Sequence, residues 1–317
     1  MFQVFEKLTF LENTIQISSA INHASNASMQ DILVAGGWDK NTKVLNSVER
    51  FSWKHNAWER VSSMESSRVG ATSFVHENQL FVAGGCQSDV IEVLDLQKNG
   101  LKWEEFAATL PCYCPRLLSV VYQNRAILFC TSYGSKNMKT SVELTLTEPY
   151  TCRETGNIPE PVRRGYGLVA FGNKVLIFGG QNDDQILNNV FAFDLTTNTF
   201  KDMPPLRSAF HDMATVRWGD QAILIGGLNE NGQSNKVYMY NSKSGETTEL
   251  PPMMEERAGC CAVITGNTIV VMGGKGKIKA RLNSVEAFTL GGYSWRRFPA
   301  MNDIRSLATA VVLPTKK

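Results

Sequence analysis

Five times in this chain of 317 residues an apolar run ends in two glycines. The copies are Ile32-Leu33-Val34-Ala35-Gly36-Gly37, Leu80-Phe81-Val82-Ala83-Gly84-Gly85, Val175-Leu176-Ile177-Phe178-Gly179-Gly180, Ile223-Leu224-Ile225-Gly226-Gly227 and Ile269-Val270-Val271-Met272-Gly273-Gly274. The first glycines at 36 and 84 stand 48 residues apart, those at 179, 226 and 273 stand 47 apart, and the interval from 84 to 179 is 95, twice the period. A sixth copy is therefore expected midway. Ile127-Leu128-Phe129-Cys130-Thr131-Ser132-Tyr133 fills that place, with Ser132 and Tyr133 at the glycine positions. A fixed period of this length marks one supersecondary unit that buries its apolar faces by stacking on its copies.

Each unit carries further regular features. After the doublet, a loop leads to a strand that opens Val48-Glu49, Ile91-Glu92, Val142-Glu143, Val190-Phe191, Val237-Tyr238 or Val285-Glu286. The next strand is centred on Trp58, Trp103, Phe200 or Trp295, while Cys152 and Thr247 take that place in units three and five. An arginine and a small or apolar strand open the unit, as in Arg68-Val69-Gly70-Ala71-Thr72-Ser73-Phe74 and Arg257-Ala258-Gly259-Cys260-Cys261-Ala262-Val263. Runs that are apolar at every position suit strands covered on both faces. Doublet glycines permit positive φ and close backbone approach, and an indole fills the widening wedge between stacked units.

The period, the glycine doublet ending the second strand and the tryptophan in the fourth together resemble the kelch repeat, from residue 30 to about 313. The resemblance implies an all-β fold, a six-bladed kelch β-propeller with four antiparallel strands per blade. Unit one lacks an opening arginine, since Ala20 stands sixteen residues before Gly36, while Arg305-Ser306-Leu307-Ala308-Thr309-Ala310-Val311-Val312 has no doublet after it. The C-terminal strand is thus expected to complete blade one and close the ring, leaving no open edge. Residues 1–29 are expected to lie outside the repeats, and 30–317 to form the propeller.

Composition excludes several functions. A formal charge of +2 gives no general attraction to nucleic acid or a membrane surface. There is no apolar run of the roughly 18 residues that a membrane helix needs, and the N-terminus lacks the pattern of a secretion signal. Seven cysteines show no disulfide framework, which fits a reducing, cytoplasmic setting. His23, His55, His76 and His211 make no metal-binding spacing, and neither Cys112-Tyr113-Cys114 nor Cys260-Cys261 is a C-x₂-C knuckle. No metal or other cofactor is expected, and no constellation of nucleophile, acid and base points to an enzyme.

A binding role remains. In animal kelch-like adaptors, which carry BTB and BACK domains and recruit a cullin ubiquitin ligase, the loops on one propeller face grip substrate peptides. Residues 1–29 are too short for either domain. By resemblance, the arginines opening the blades, Arg68, Arg116, Arg163 or Arg164, Arg257 and Arg305, with Arg207 offset, are candidate partner contacts. The alternative for these arginines is that their stems pack and their heads bond neighbouring loop carbonyls. Trp38, Asn182, Asn229 and Lys275 in the loops after the doublets and Tyr133 at the doublet place of unit three join the candidates, Trp38 either as an anchor or as core. Lys275, Lys277, Lys279 and Arg281 would extend a positive rim that suits an acidic peptide. Substrate recognition for a cullin-type ligase is the leading expectation, with actin binding or scaffolding as the alternative.

Overall fold

Apolar side chains at odd and even positions alike suit a strand sandwiched between neighbours, and the runs before the doublets become the second strands of six sheets. The computed structural model describes residues 29–85, 88–98, 102–131, 140–157, 164–182 and 185–315. Blade two comprises Thr72–His76, Gln79–Ala83, Ile91–Asp95 and Trp103–Glu105, paired antiparallel in that order. Blade three comprises Arg116–Tyr122, Arg125–Thr131, Thr140–Thr145 and Cys152–Asn157. Blades four, five and six follow the same order, from Gly167–Phe171, Ala214–Trp218 and Cys261–Thr265 respectively. Blade one is closed by the C-terminal strand: Thr309–Val312 pairs with Ile32–Ala35, placing Val312 opposite Ile32 and Thr309 opposite Ala35. The expectation for the N-terminal segment falls on residues 1–28, outside the described residues.

Six apolar clusters fill the six joints between blades. Alternate residues of one strand serve different joints. In blade five, Ala222 and Leu224 pack with Phe178 of blade four, while Ile223 and Ile225 pack with Phe288 and Trp295 of blade six. Trp103 and Trp295 are buried at 2 % and 6 % exposure, whereas Trp58 is half-buried, less enclosed than its place in the repeat suggests. Each indole also donates to the linker arriving from the preceding blade: Trp58 to Pro299 O (2.8 Å), Trp103 to Ser62 O (2.9 Å) and Trp295 to Pro251 O (2.7 Å). Blade five, with Thr247 in that position, makes the equivalent bond from its third strand, where the Tyr240 hydroxyl donates to Pro204 O at 2.9 Å.

The arginines opening blades one, two and six are struts inside the blade. Arg257 donates from Nε and Nη2 to Glu286 Oε1 (3.2 and 2.9 Å) and from Nη1 to the carbonyls of Gly273 and Ser284 (2.8 and 2.9 Å). Arg68 binds Glu92 and the Gly84 carbonyl, and Arg305 binds Glu49 and the Gly36 carbonyl, in the same way. Each glutamate accepts two linker amides as well: Met254 and Glu255 on Glu286, Glu65 and Ser66 on Glu92, Asn302 and Asp303 on Glu49. The strut's own carbonyl accepts from the second glycine of the preceding blade: Gly227 to Arg257 (2.7 Å), Gly274 to Arg305 (2.8 Å), Gly37 to Arg68 (2.7 Å). Guanidinium and carbonyl of one residue thereby link successive doublets from blade five through six and one to two. A Cβ on Gly226 would lie 2.3 Å from the Arg257 carbonyl, and its φ of +63° is left-handed, so the contact requires glycine.

Of the two roles that the sequence left open for these three arginines, their side chains show the packed one. Arg68, Arg257 and Arg305, candidates for gripping a partner, have exposures of 0–1 % and spend their donors within the blade. Blade five replaces the ion pair as a unit. Phe210 stands where the arginine would be and Tyr238 where the glutamate would be, their rings 5.5 Å apart. Gly180 still donates to the Phe210 carbonyl at 2.8 Å.

A correction concerns the cysteines, which the sequence suggested form no disulfide. Cys114, in the linker before blade three, is bonded to Cys130 in its second strand, with Cα atoms 5.5 Å apart. Folding brings them together because Leu117, three residues on from Cys114, pairs directly with Cys130, a proximity that spacing along the chain does not reveal.

Removing one member of a buried ion pair costs about 3–5 kcal/mol, because the other is left charged and unpaired. Arg257→Ala is expected to lose stability on that scale in chemical denaturation. Arg257→Phe combined with Glu286→Tyr, copying blade five, is expected to lose less than the single change. A double variant as unstable as Arg257→Ala would contradict the equivalence of the two pairs.

Candidate binding site at the channel mouth

Where first strands begin, a ring of backbone hydrogen bonds surrounds the central channel. Gly70, Gly165, Asp212, Gly259 and Leu307 each occupy a left-handed conformation, with φ between 55° and 72°. Gly70 N donates to Leu307 O (2.9 Å), Leu307 N to Gly259 O (2.8 Å), Gly259 N to Asp212 O (2.8 Å) and Asp212 N to Gly165 O (2.6 Å). Blade three joins through Leu117 N to Gly70 O at 2.9 Å. Among the described residues, no backbone bond of this series links blade three to blade four. A cavity of about 120 Å³ lies here, lined by residues from all six blades, including Gly70, Arg116, Tyr166, Asp212, Cys260 and Leu307. Tyr166 is buried and its hydroxyl has no hydrogen-bond partner among the described residues.

Arg116, which opens blade three, pairs with a different acid from the struts of blades one, two and six. Glu143, which occupies the strut acid's place in blade three, is held by Arg125 (2.7 Å) and Arg153 (2.9 Å). The Arg116 guanidinium instead crosses the channel to both carboxylate oxygens of Asp212 in blade five. Their side chains are 18 % and 13 % exposed, so the pair is only partly screened. Beside it, the Gln181 amide, oriented by its neighbours, accepts from Arg164 Nε (3.0 Å) and Nη2 (2.8 Å) and donates to the His211 ring at 3.0 Å. Burial, then Arg116 and Arg164, lower the His211 pKa to about 4. At neutral pH the imidazole is uncharged, and the site presents two guanidiniums against one carboxylate.

The other sequence candidates are spread around this mouth. Trp38 is half-buried: its backbone bridges to Ser306 and its ring lies under the Arg281 guanidinium at 5.4 Å. Arg281 also donates to Ser306 Oγ at 3.1 Å, so the basic loop of blade six leans on blade one. Lys275 is half-buried and forms backbone bridges to Ala258 and Arg281. Asn182 accepts from Gln185 N at 2.9 Å and Asn229 from Asn231 N at 2.8 Å, both shaping their own loops. Arg207 is exposed on the linker into blade five. Arg163 and Tyr133 lie outside the described residues. Sequence reasoning missed Gln181, His211 and Asp212. It also quoted the strut acids in the Val-Glu and Ile-Glu pairs without matching them to the arginines.

His211 gives the site a pH signature. An unfolded histidine titrates near 6.5. Between about pH 6.5 and 4 the unfolded chain therefore binds the extra proton, and stability falls as pH is lowered through that window. Above it, His211 is neutral in both states and adds no slope. In urea unfolding across pH 4–7.5, the parent is expected to lose up to about 3 kcal/mol relative to His211→Gln, because the depressed pKa spans about two and a half units. Parallel curves for the two proteins would refute a depressed His211.

Comparison with known proteins agrees with this architecture. The family model described as the KLHDC2/KLHL20/DRC7 Kelch-repeats domain matches residues 22–209 and 150–315. The chain is 24 % identical over 200 residues to Kelch-like protein 35 of Mus musculus, covering 61 % of this chain and 33 % of that protein. It is 24 % identical over 199 residues to the Leucine-zipper-like transcriptional regulator 1 homolog of Drosophila melanogaster, covering 57 % of this chain and 20 % of that protein. A similar match, 24 % over 191 residues, is made to Leucine-zipper-like transcriptional regulator 1 of Pongo abelii, covering 54 % and 23 %. The matched stretch thus spans between a fifth and a third of these relatives' length. Among the described residues, no helix is long and apolar enough to cross a membrane. With two overlapping matches that together run from residue 22 to 315, the chain belongs to the KLHDC2/KLHL20/DRC7 Kelch-repeats domain family.

Proposed function

We propose that this propeller is the partner-recognition module of a cullin-type ubiquitin-ligase adaptor, and that it holds an acidic peptide segment at the channel mouth. The observation that carries the reading is the Arg116 guanidinium, paired with Asp212 on the wall of the cavity. A peptide carboxylate exchanging for Asp212 would keep the guanidinium doubly hydrogen-bonded. Glycines at the rim let a guest backbone approach closely. Arg164, Arg207 and the loop from Lys275 to Arg281 would add attraction at longer range. Arg68, Arg257 and Arg305 take no part. The adaptor reading rests on the kelch-like relatives, with ligase recruitment assigned to a BTB domain outside the matched stretch.

The test is selection from a displayed library of intracellular peptides, repeated with Arg116→Ala and with Arg164→Ala. Acidic peptides are expected to be enriched. Arg116→Ala is expected to weaken them about tenfold, the lower range for a partly buried charge pair. Enrichment of neutral or basic peptides, or acidic ones indifferent to Arg116, would reject the proposal.

A further inference from the structure

Blade three departs from the repeat at several places. Its strut arginine is turned to the channel, Cys152 takes the tryptophan's place, and Ser132 and Tyr133 replace the doublet. In blades one, two and six the strut ties the segment before the first strand to the end of the second strand. In blade three the Cys114–Cys130 bond ties the corresponding elements. A third sulfur accompanies it: Cys112 Sγ lies 3.5 Å from Cys114 Sγ, and the sulfurs of Cys112, Cys114 and Cys130 all lie within 4.8 Å of one another. Cys112 is half-buried at the cluster's edge, while Cys114 and Cys130 are fully buried. By contrast, the adjacent Cys260 and Cys261 belong to different apolar clusters.

A static cross-link needs two sulfurs; a third within reach makes it exchangeable. We propose that Cys112, Cys114 and Cys130 form a thiol–disulfide exchange centre, in which Cys112 resolves the Cys114–Cys130 bond and unties the second strand from the segment leading to Arg116. Cys112 loses its proton and its thiolate attacks Cys114 Sγ. The Cys112–Cys114 bond forms as the Cys114–Cys130 bond breaks, and Cys130 leaves as a thiolate that takes up a proton. The step is an isomerisation and needs no external oxidant or reductant. The titratable group acting on Cys112 is Glu154 of the fourth strand, and Cys112 in turn acts on Cys152 of the same strand. Burial, then Glu154, raises the Cys112 thiol above its ordinary value, so thiolate is scarce at neutral pH and the exchange accelerates as pH rises. The resting link is thereby held closed without being fixed.

Disulfide mapping of the full chain tests this. Cleavage at Lys102, Arg116, Arg125 and Lys136 puts Cys112 and Cys114 on one peptide, 103–116, and Cys130 on another, 126–136. Air-equilibrated protein, alkylated in denaturant after an acid quench, is expected to give these two peptides cross-linked. Incubation at pH 9 rather than pH 6 is expected to convert part of the population to an internal Cys112–Cys114 disulfide with Cys130 alkylated. Cys112→Ser should keep the cross-link and lose the conversion. Reducing the bond with dithiothreitol is expected to lower the unfolding midpoint by about 5 °C, the scale for opening a loop of this size in a domain of this length. Absence of the cross-link, absence of conversion at pH 9, or one equivalent of zinc protecting all three thiols from alkylation would each overturn the proposal.

Discussion

In blades one, two, five and six the carbonyl of the opening residue takes the amide proton of the preceding blade's second glycine, and the rest of the propeller is arranged around that bond; at blade three the Gly85 amide reaches the Cys114 carbonyl instead, at 2.9 Å. In those four blades the bond is short, between 2.7 and 2.8 Å at Arg68, Phe210, Arg257 and Arg305, and it sits where a Cβ on the first glycine would collide with the same oxygen. Both glycines of a doublet are therefore fixed by one contact between blades. The guanidinium is a further layer. A buried ion pair loses on desolvation much of what it gains in attraction, so its presence alone says little about stability. Blade five supports this view, since Phe210 and Tyr238 replace the pair while the carbonyl bond persists. What the arginine adds is direction: its fork joins one doublet to the next and holds the strand-three glutamate where it can accept two linker amides.

Much of the fold was legible because the glycine doublet recurs in five of the six units and so marks the period, with Ser132 and Tyr133 standing at its place in the remaining unit. Ring closure followed from a missing arginine at one end and a surplus strand at the other, and Thr309–Val312 indeed pairs in the vacant place. The arginines themselves stayed open between a partner contact and a packed role. Their acids lie 24 residues away in blade two, 29 in blade six and 256 in blade one, because the loop between second and third strands varies and blade one is split across the chain ends. No fixed spacing announces such a pair. The repeat did contain a clue, since the unit that opens with Phe210 is also one whose third strand starts Val237-Tyr238 instead of Val-Glu. Asp212 was hidden for a different reason: it takes a left-handed position that three other blades give to glycine, and only the closed ring places it opposite Arg116.

Blade three concentrates the exceptions. Among the described residues the channel-side series of backbone bonds stops there, its glutamate is held by Arg125 and Arg153, and a disulfide ties the elements that the strut ties elsewhere. Sequences that specify a fold consistently tend to break their own rules where function intrudes. Here the relaxed rules coincide with the cavity, the Arg116–Asp212 pair, the neutral His211 and the three converging sulfurs. A joint with fewer inter-blade backbone bonds among the described residues is one expected to open at lower free energy than the whole domain.

Native-state hydrogen exchange resolved to single amides tests the central claim most directly. If doublet-to-carbonyl bonds hold the ring and the joint between blades three and four is its weak point, the amides of Gly37, Gly227 and Gly274 will exchange only through global unfolding. Amides of the blade three first strand, Leu118 to Val120, will then exchange through a smaller opening. Uniform protection around the ring, or doublet amides that exchange before those of blade three, would contradict the account.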